Sequence, residues 1–330
     1  MEIICNFKQK DMRIFLLLSI CLTIGCTGHK KPQGESQSDT ALVVLDIRAQ
    51  LGEGAIWNQK DNRLWWVDIE QGILHIFNPD DGSDKEYSLG RRVGTVVPTE
   101  SGKALVALED GLNFLDLETG ELSFITDPES DLPAMRYNDG KCDPAGRFWV
   151  GSMGMESPNR YKASLYRLDH DLTATRMLDS ITVSNGICWS LDKTKIYYID
   201  TPTMKVRLFD YDNKTGEISN GRTAVEIPGG MGGPDGMTID SEGHLWVCLW
   251  GGSCVGCFDP ETGELIRKIN VPAKNVTSCA FGGKDLRTLY ITSASTSMSP
   301  EDSVKYPLAG RLFAVELEVE GVQAFFFKDQ

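Results

Sequence analysis

The chain has 330 residues, 41% hydrophobic and 24% charged, a globular composition with enough length for a large core. A formal charge of −14 argues against nucleic acid as a partner and against electrostatic docking on anionic lipid. With 33 Gly, 14 Pro and repeated short aromatic and β-branched runs, the sequence favours strands and turns over long helices.

The first element in chain order is a targeting segment. Arg13 precedes an apolar run over residues 14–24, far short of the ~20 residues a spanning helix needs. The run ends in Thr23-Ile-Gly-Cys26, small residues and then Cys, which resembles a bacterial lipoprotein lipobox. Residues 1–25 are therefore expected to be a lipoprotein signal peptide, cut before Cys26, with lipid on the Cys26 thiol. Residues 1–11 lack signal character, so Met12 is a candidate for the true start. An ordinary secretory signal cut nearby is the alternative. Residues 26–40 are polar with Gly, Pro and Ser, and read as a flexible tether. The expected location is exported and anchored to a bacterial membrane through that lipid alone, facing the periplasm. No acidic residue directly follows Cys26.

From residue 41 onward one unit recurs six times: a polar head, a short strand, a tight turn, an apolar strand, then another strand and turn. The turns are Asn58-Gln-Lys-Asp61, Thr99-Glu-Ser-Gly102, Asp143-Pro-Ala-Gly146, Leu191-Asp-Lys-Thr194, Asp240-Ser-Glu-Gly243 and Gly282-Gly-Lys-Asp285, with starts about 41 to 49 residues apart. A period in the forties with about four strands per unit predicts an all-β, six-bladed β-propeller in a single domain, 41–330. A strand over residues 42–47 precedes the first unit. It is expected to pair with residues 310–315, closing the ring and hiding both edges. Trp65, Trp149, Tyr197, Trp246 and Tyr290 recur at one phase after the turns, as core filler between blades. A pair of sandwiches or an open solenoid would not repeat them so. Once the leader and Cys26 are set aside, six cysteines remain, with spacings that suit neither a disulfide framework nor a zinc site. They are expected to be buried small hydrophobes; for the lone Cys254-Val-Gly-Cys257, whose residues point to opposite faces of a strand, a disulfide and a metal or redox role are the alternatives.

Glu53, Asn138, Asn185 and Asp235 hold the same place, the polar head, in four of the repeats. Alone, an Asp, Asn or Glu beside Gly at a strand start commonly satisfies a turn backbone. In a propeller these positions meet at one mouth of the axial channel, where Glu53, Asn185 and Asp235 would converge. Two carboxylates held close raise each other's pKa unless a cation neutralises them. Glu, Asn and Asp offer hard oxygen donors, the set suited to Ca2+, Mg2+ or Mn2+, with Zn2+ less favoured. The four histidines are scattered in the tether and outer segments, so no histidine cluster builds a zinc-hydrolase site.

Leu51-Gly-Glu-Gly-Ala-Ile-Trp57, Arg136-Tyr-Asn-Asp-Gly-Lys-Cys-Asp-Pro-Ala-Gly-Arg147, Ser184-Asn-Gly186, Pro234-Asp-Gly-Met237, Thr277-Ser-Cys-Ala-Phe-Gly-Gly283 and Leu308-Ala-Gly-Arg-Leu-Phe-Ala314 together resemble the gluconolactonase and regucalcin family, also called the senescence marker protein family. The resemblance runs from residue 43 to the C-terminus. It implies a six-bladed propeller with one divalent cation at the channel mouth and, for many members, hydrolysis of sugar lactones. Carried over by motif, Glu53, Asn185 and Asp235 match the metal ligands. Arg136 and Asn138 match the substrate-contacting pair, and Glu156 matches a further substrate-side acid. Tyr137 stands where relatives often have Phe, and residues 157–162 are a candidate lid.

The expected chemistry is metal-dependent hydrolysis of a sugar (aldono)lactone to the sugar acid. The cation polarises the carbonyl, Asp235 serves as acid/base, and Arg136 and Asn138 hold substrate oxygens. No Ser-His-Asp arrangement points to an acyl-enzyme. The expected partner is the lactone alone, taken by a monomer. Two other readings use the same scaffold: a non-catalytic protein binding a divalent cation or a sugar acid, and a different ester or phosphoester hydrolase.

Overall fold

The computed structural model describes residues 39–156 and 162–329. The expected signal peptide, Cys26 and nearly all of the tether lie outside the described residues, as does 157–161 of the candidate lid. The described strands form six antiparallel sheets of four. The first strands of blades 1 to 6 are Gly52–Asn58, Val93–Pro98, Met135–Cys142, Ser184–Trp189, Gly233–Ile239 and Asn275–Gly282. Each packs against the first strands of both neighbours, so these six strands line the axis of a closed ring.

The last blade joins the two ends of the chain. Leu42–Leu45 pairs antiparallel with Leu312–Glu316, with Leu42 opposite Ala314. This strand stops at Leu45 and slips register after Val43. Beyond it the chain leaves the edge, the Asp46 carboxylate accepts from Arg311 Nε, and the Ala49 N–H is taken by the Gly310 carbonyl at 2.8 Å. Among the described residues helix is confined to Pro300–Lys305, held by a Ser299/Asp302 capping box, and a 3-10 turn at Thr201–Thr203.

The repeated turns join first to second strands at the end of the ring away from the polar heads. In blade 3 the Asp143 Oδ1 accepts from the Ala145 and Arg147 backbone N–H groups, each at 2.9 Å, and Gly146 supplies the positive φ of 88° that the turn needs. Asp143 Oδ2 takes the Trp149 Nε1–H at 3.0 Å and the Arg147 Nε–H at 2.6 Å. The repeated aromatics fill the spaces between blades, as the sequence predicts. Trp149 meets Trp189 and Tyr211 of blade 4 edge-on, Trp246 meets Phe281 of blade 6, and Tyr290 stacks on Trp57 of blade 1. Each buried aromatic contributes on the order of 2–3 kcal/mol through area removed from water. The cysteines at 142, 188, 248, 254, 257 and 279 are all free and buried.

A C-terminal strap has no counterpart in the repeat. It leaves blade 6, where the Gly321 N–H donates to the Leu286 carbonyl, and passes under the turn end of every blade. The Glu320 carbonyl takes the Ser241 N–H of blade 5, and the Ala324 carbonyl takes the Gln59 side chain of blade 1. Phe325 lies under the Lys193 ammonium of blade 4. Phe327 bonds Pro98 and Glu100 of blade 2, and Lys328 bonds Gly146 of blade 3. The strap thus lies across the end of the channel opposite the heads.

Candidate metal and substrate site at the channel mouth

All six first strands slip register against their second strands near the polar head: after Glu53, Val93, Tyr137, Asn185, Pro234 and Val276. A slip of this kind bends a strand and re-aims a side chain. Here four of the slips carry Glu53, Asn138, Asn185 and Asp235 into one cavity of about 360 Å³. That volume suits a small ligand. All four side chains, and Arg136 with them, are 4–7% exposed.

Hydrogen bonds link three of the five. Arg136 Nη1 donates to Asn138 Oδ1 at 2.7 Å and to the Tyr137 carbonyl at 3.0 Å. Asn138 Nδ2 donates to Asn185 Oδ1 at 3.0 Å and to the Ser184 carbonyl at 2.7 Å. Asn185 Nδ2 in turn donates to Thr201 Oγ1 at 2.8 Å, and that hydroxyl donates to the Pro234 carbonyl at 2.8 Å. The chain of bonds runs from the wall of blade 3 to the residue preceding Asp235, and it fixes which end of each amide carries oxygen.

Charge in the site is unbalanced. Burial, and then the Asp139 charge, push the Glu53 carboxyl up to about 8; the Gly54 N–H and Arg136 oppose them less strongly. Burial, then Glu53, then Asp139 raise Asp235 well above the usual carboxylate range. Burial also lowers the Arg136 pKa, opposed by Glu70 and Glu53. Glu53, Asn185 and Asp235 present oxygen donors, and burial and repulsion between carboxylates disfavour the charged form of both acids. A hard divalent cation would offset that repulsion, so the residues fit such a group.

Of the residues singled out in the sequence, Glu53, Arg136, Asn138, Asn185 and Asp235 come together. Glu156 does not: it is exposed, at the edge of the described residues, and Met153, Gly154 and Met155 line the cavity in its stead. The Tyr137 hydroxyl donates to Asp127 Oδ1 at 2.8 Å, so it ties two parts of the blade together and takes no place in the cavity lining. Sequence reasoning passed over Asp139, next to Asn138, whose charge bears on both mouth carboxylates. It also passed over Thr201 and the rim pair of Arg92 Nε with Glu70 Oε2 at 2.9 Å. Asp139 was visible inside a quoted motif. Thr201 and Arg92 follow strands of no special pattern and carry no local signal.

Residues 51–295 match the SMP-30/Gluconolactonase/LRE-like region family. The chain is 40% identical to the Bacillus subtilis protein named as a sugar lactone lactonase, YvrE, over 86% of this chain and 97% of that one. It is 38% identical to regucalcin of Danio rerio over the same shares of the two chains. Among solved structures, it resembles a calcium-binding protein, regucalcin, from Agrobacterium tumefaciens, with a TM-score of 0.83 and 30% identity over 88% of this chain and 97% of that one.

Proposed function

Because the chain belongs to the SMP-30/gluconolactonase/LRE-like family, we propose that it is a lactonase that opens a sugar (aldono)lactone to the sugar acid with one divalent cation at the channel mouth. The observation that carries this reading is the meeting, in one buried cavity, of an all-oxygen donor set (Glu53, Asn185, Asp235) with an anchored Arg136–Asn138 pair. A cation store has no need of a guanidinium braced against its ligands. Ca2+ is the favoured ion, supported by the hard donors and by the calcium-binding relative; Mg2+, Mn2+ and Zn2+ are the alternatives.

When bound, the cation supplies Lewis acidity toward the lactone carbonyl oxygen and a nearby water. The protein's own part begins with orientation. Arg136, fixed through Nη1, offers its remaining N–H groups to a carbonyl or hydroxyl oxygen of the substrate, and Asn138 keeps that fork in place. A carboxylate oxygen of Asp235 takes a proton from the attacking water. The same oxygen returns it to the ring oxygen as the carbon–oxygen bond breaks, so lactone and water become a hydroxy acid. The C-terminal strap covers the far end of the channel, which favours entry at the mouth. In this reading the domain works as a monomer, exported and carried on a lipid at Cys26.

The test is a panel of aldonolactones followed by proton release, with and without chelator. Chelator-sensitive opening above the spontaneous rate is expected. If no lactone opens, the site binds without turnover; if chelator has no effect, the cation has no part in the reaction.

A further inference from the structure

Blades 3 and 5 carry the same turn, and the comparison isolates a difference. Asp240 Oδ1 accepts from the Glu242 and His244 N–H groups at 2.9 Å, and Oδ2 accepts from Trp246 Nε1 at 2.9 Å. These are the bonds Asp143 makes to Ala145, Arg147 and Trp149. In blade 3 the residue four after the aspartate is Arg147, whose Nε binds the carboxylate at 2.6 Å. Opposite Trp149 on the next strand stands Arg167. In blade 5 the corresponding residues are His244 and, opposite Trp246, Cys257. Two guanidinium side chains are thus replaced by an imidazole and a thiol beside a carboxylate that is 1% exposed.

We propose that Asp240, His244 and Cys257 form a second metal site, for a borderline transition cation such as Zn2+, at the turn end of blade 5. One donor atom from each of the three lies within 4.8 Å of the other two. His244 Nδ1 stands 3.5 Å from Asp240 Oδ2. That is long for a hydrogen bond between charged groups. It is close to the ~3.3 Å that separates two ligands on one tetrahedral zinc with ~2.0 Å bonds. A carboxylate, an imidazole and a thiolate make the mixed set that zinc accepts and that calcium does not favour. The aspartate arrives already oriented by three N–H donors, as ligating carboxylates usually are. His244 opens onto a surface cleft of about 400 Å³ that also holds Asp192, Glu242, Asp259 and Glu261, an acidic way in for a cation. The Glu242 carboxylate, 3.6 Å from the same Nδ1, is on hand for the fourth position. As the cation binds, Cys257 gives up its thiol proton to solvent, one proton per ion.

The site is separate from the mouth in chemistry as well as place, since the mouth set holds no sulfur. The full chain, stripped with chelator, is titrated with Co2+. The expected result is a thiolate-to-cobalt band in the near ultraviolet together with tetrahedral visible bands, with a final intensity of one thiolate-bound ion per chain whatever the mouth takes up, and erased by Zn2+. Cys257→Ser removes the sulfur with little change in size, and His244→Arg restores the blade 3 residue and keeps the carboxylate paired. Both are expected to lose the band while unfolding at the wild-type temperature in chelator. Glu53→Gln, which alters only the mouth, is expected to keep it. Absence of a thiolate band in the wild-type chain, or its persistence in Cys257→Ser, overturns the proposal.

Discussion

Asn138 Nδ2 donates to Asn185 Oδ1 at 3.0 Å, so an amide of blade 3 sets the orientation of a side chain at the mouth on blade 4. The same Asn138 holds Arg136 through its Oδ1. It is the joint between the proposed substrate wall and the proposed cation ligands.

Asn138→Ala frees both neighbours. The expected outcome is a fall in kcat/KM of about 10²-fold, in the range seen when a positioning group is lost, with a weaker cation affinity measured by titration calorimetry. A loss confined to KM with unchanged cation affinity would separate the two halves of the joint.

Asp235→Asn keeps an oxygen ligand and removes the proton acceptor. Turnover is expected to drop by about 10³-fold or more, with the far-ultraviolet dichroism and unfolding temperature unchanged. Steady-state rates within about twofold of wild type would remove Asp235 from the proton-transfer role.

The raised Glu53 pKa has a definite sign. In the cation-free chain the folded value of about 8 lies above the ordinary 4.5, so the folded state holds the proton more tightly than the unfolded state. Glu53 therefore lowers stability progressively as pH rises from about 5 to 8. Thermal unfolding in chelator should show that decline, and Glu53→Gln should make it shallower. Cation binding must displace the same proton, so affinity should strengthen as pH rises toward about 8, as calorimetry at a series of pH values would report.

Gly186 follows Asn185 in the inner strand of blade 4. A Cβ there would stand 2.6 Å from the Asp235 carbonyl oxygen, which is backbone and cannot move without the inner strand of blade 5. Gly186→Ala should leave a folded ring with displaced ligands. The expected loss is about 10²-fold in kcat/KM, with a matching loss of cation affinity. Wild-type values for both would mean that the two strands shift together at no cost to the site.

Asp143 and Arg147 form a buried pair at 2.6 Å under blade 3. Asp143→Ala leaves the buried guanidinium without its counter-charge, holding only Tyr211 and Asn213 through Nη2, and strands the Trp149 N–H. Urea denaturation should show a loss of about 3–5 kcal/mol, without a change in cation affinity, because the turn lies at the far end from the mouth.

Much of this was legible in the sequence because a propeller repeats its signals locally. The turn at Asp143 and the aromatic at Trp149 recur in phase, and four heads fall in register, so ring and mouth follow from counting. The register slips at the heads are less legible, since they come from how two strands pair. The strap is invisible for a related reason: Phe325-Phe326-Phe327 reads as one more apolar strand, and only the completed ring decides that it has no blade to join. Glu156 is the opposite case, a motif position that stands at the edge of the described residues and outside the cavity lining. Asp240, His244 and Cys257 meet across a turn and a neighbouring strand, at spacings that belong to no familiar metal motif.

The pairing of Leu42 with Ala314 has a consequence for how the protein is made. Translation proceeds at ~5–20 residues per second, so the opening strand emerges on the order of tens of seconds before its partner exists. During that interval the growing ring has a bare edge at each end, a template for pairing with another nascent chain. Closure, and the docking of the strap that follows Ala314, must wait until the sixth blade has been made.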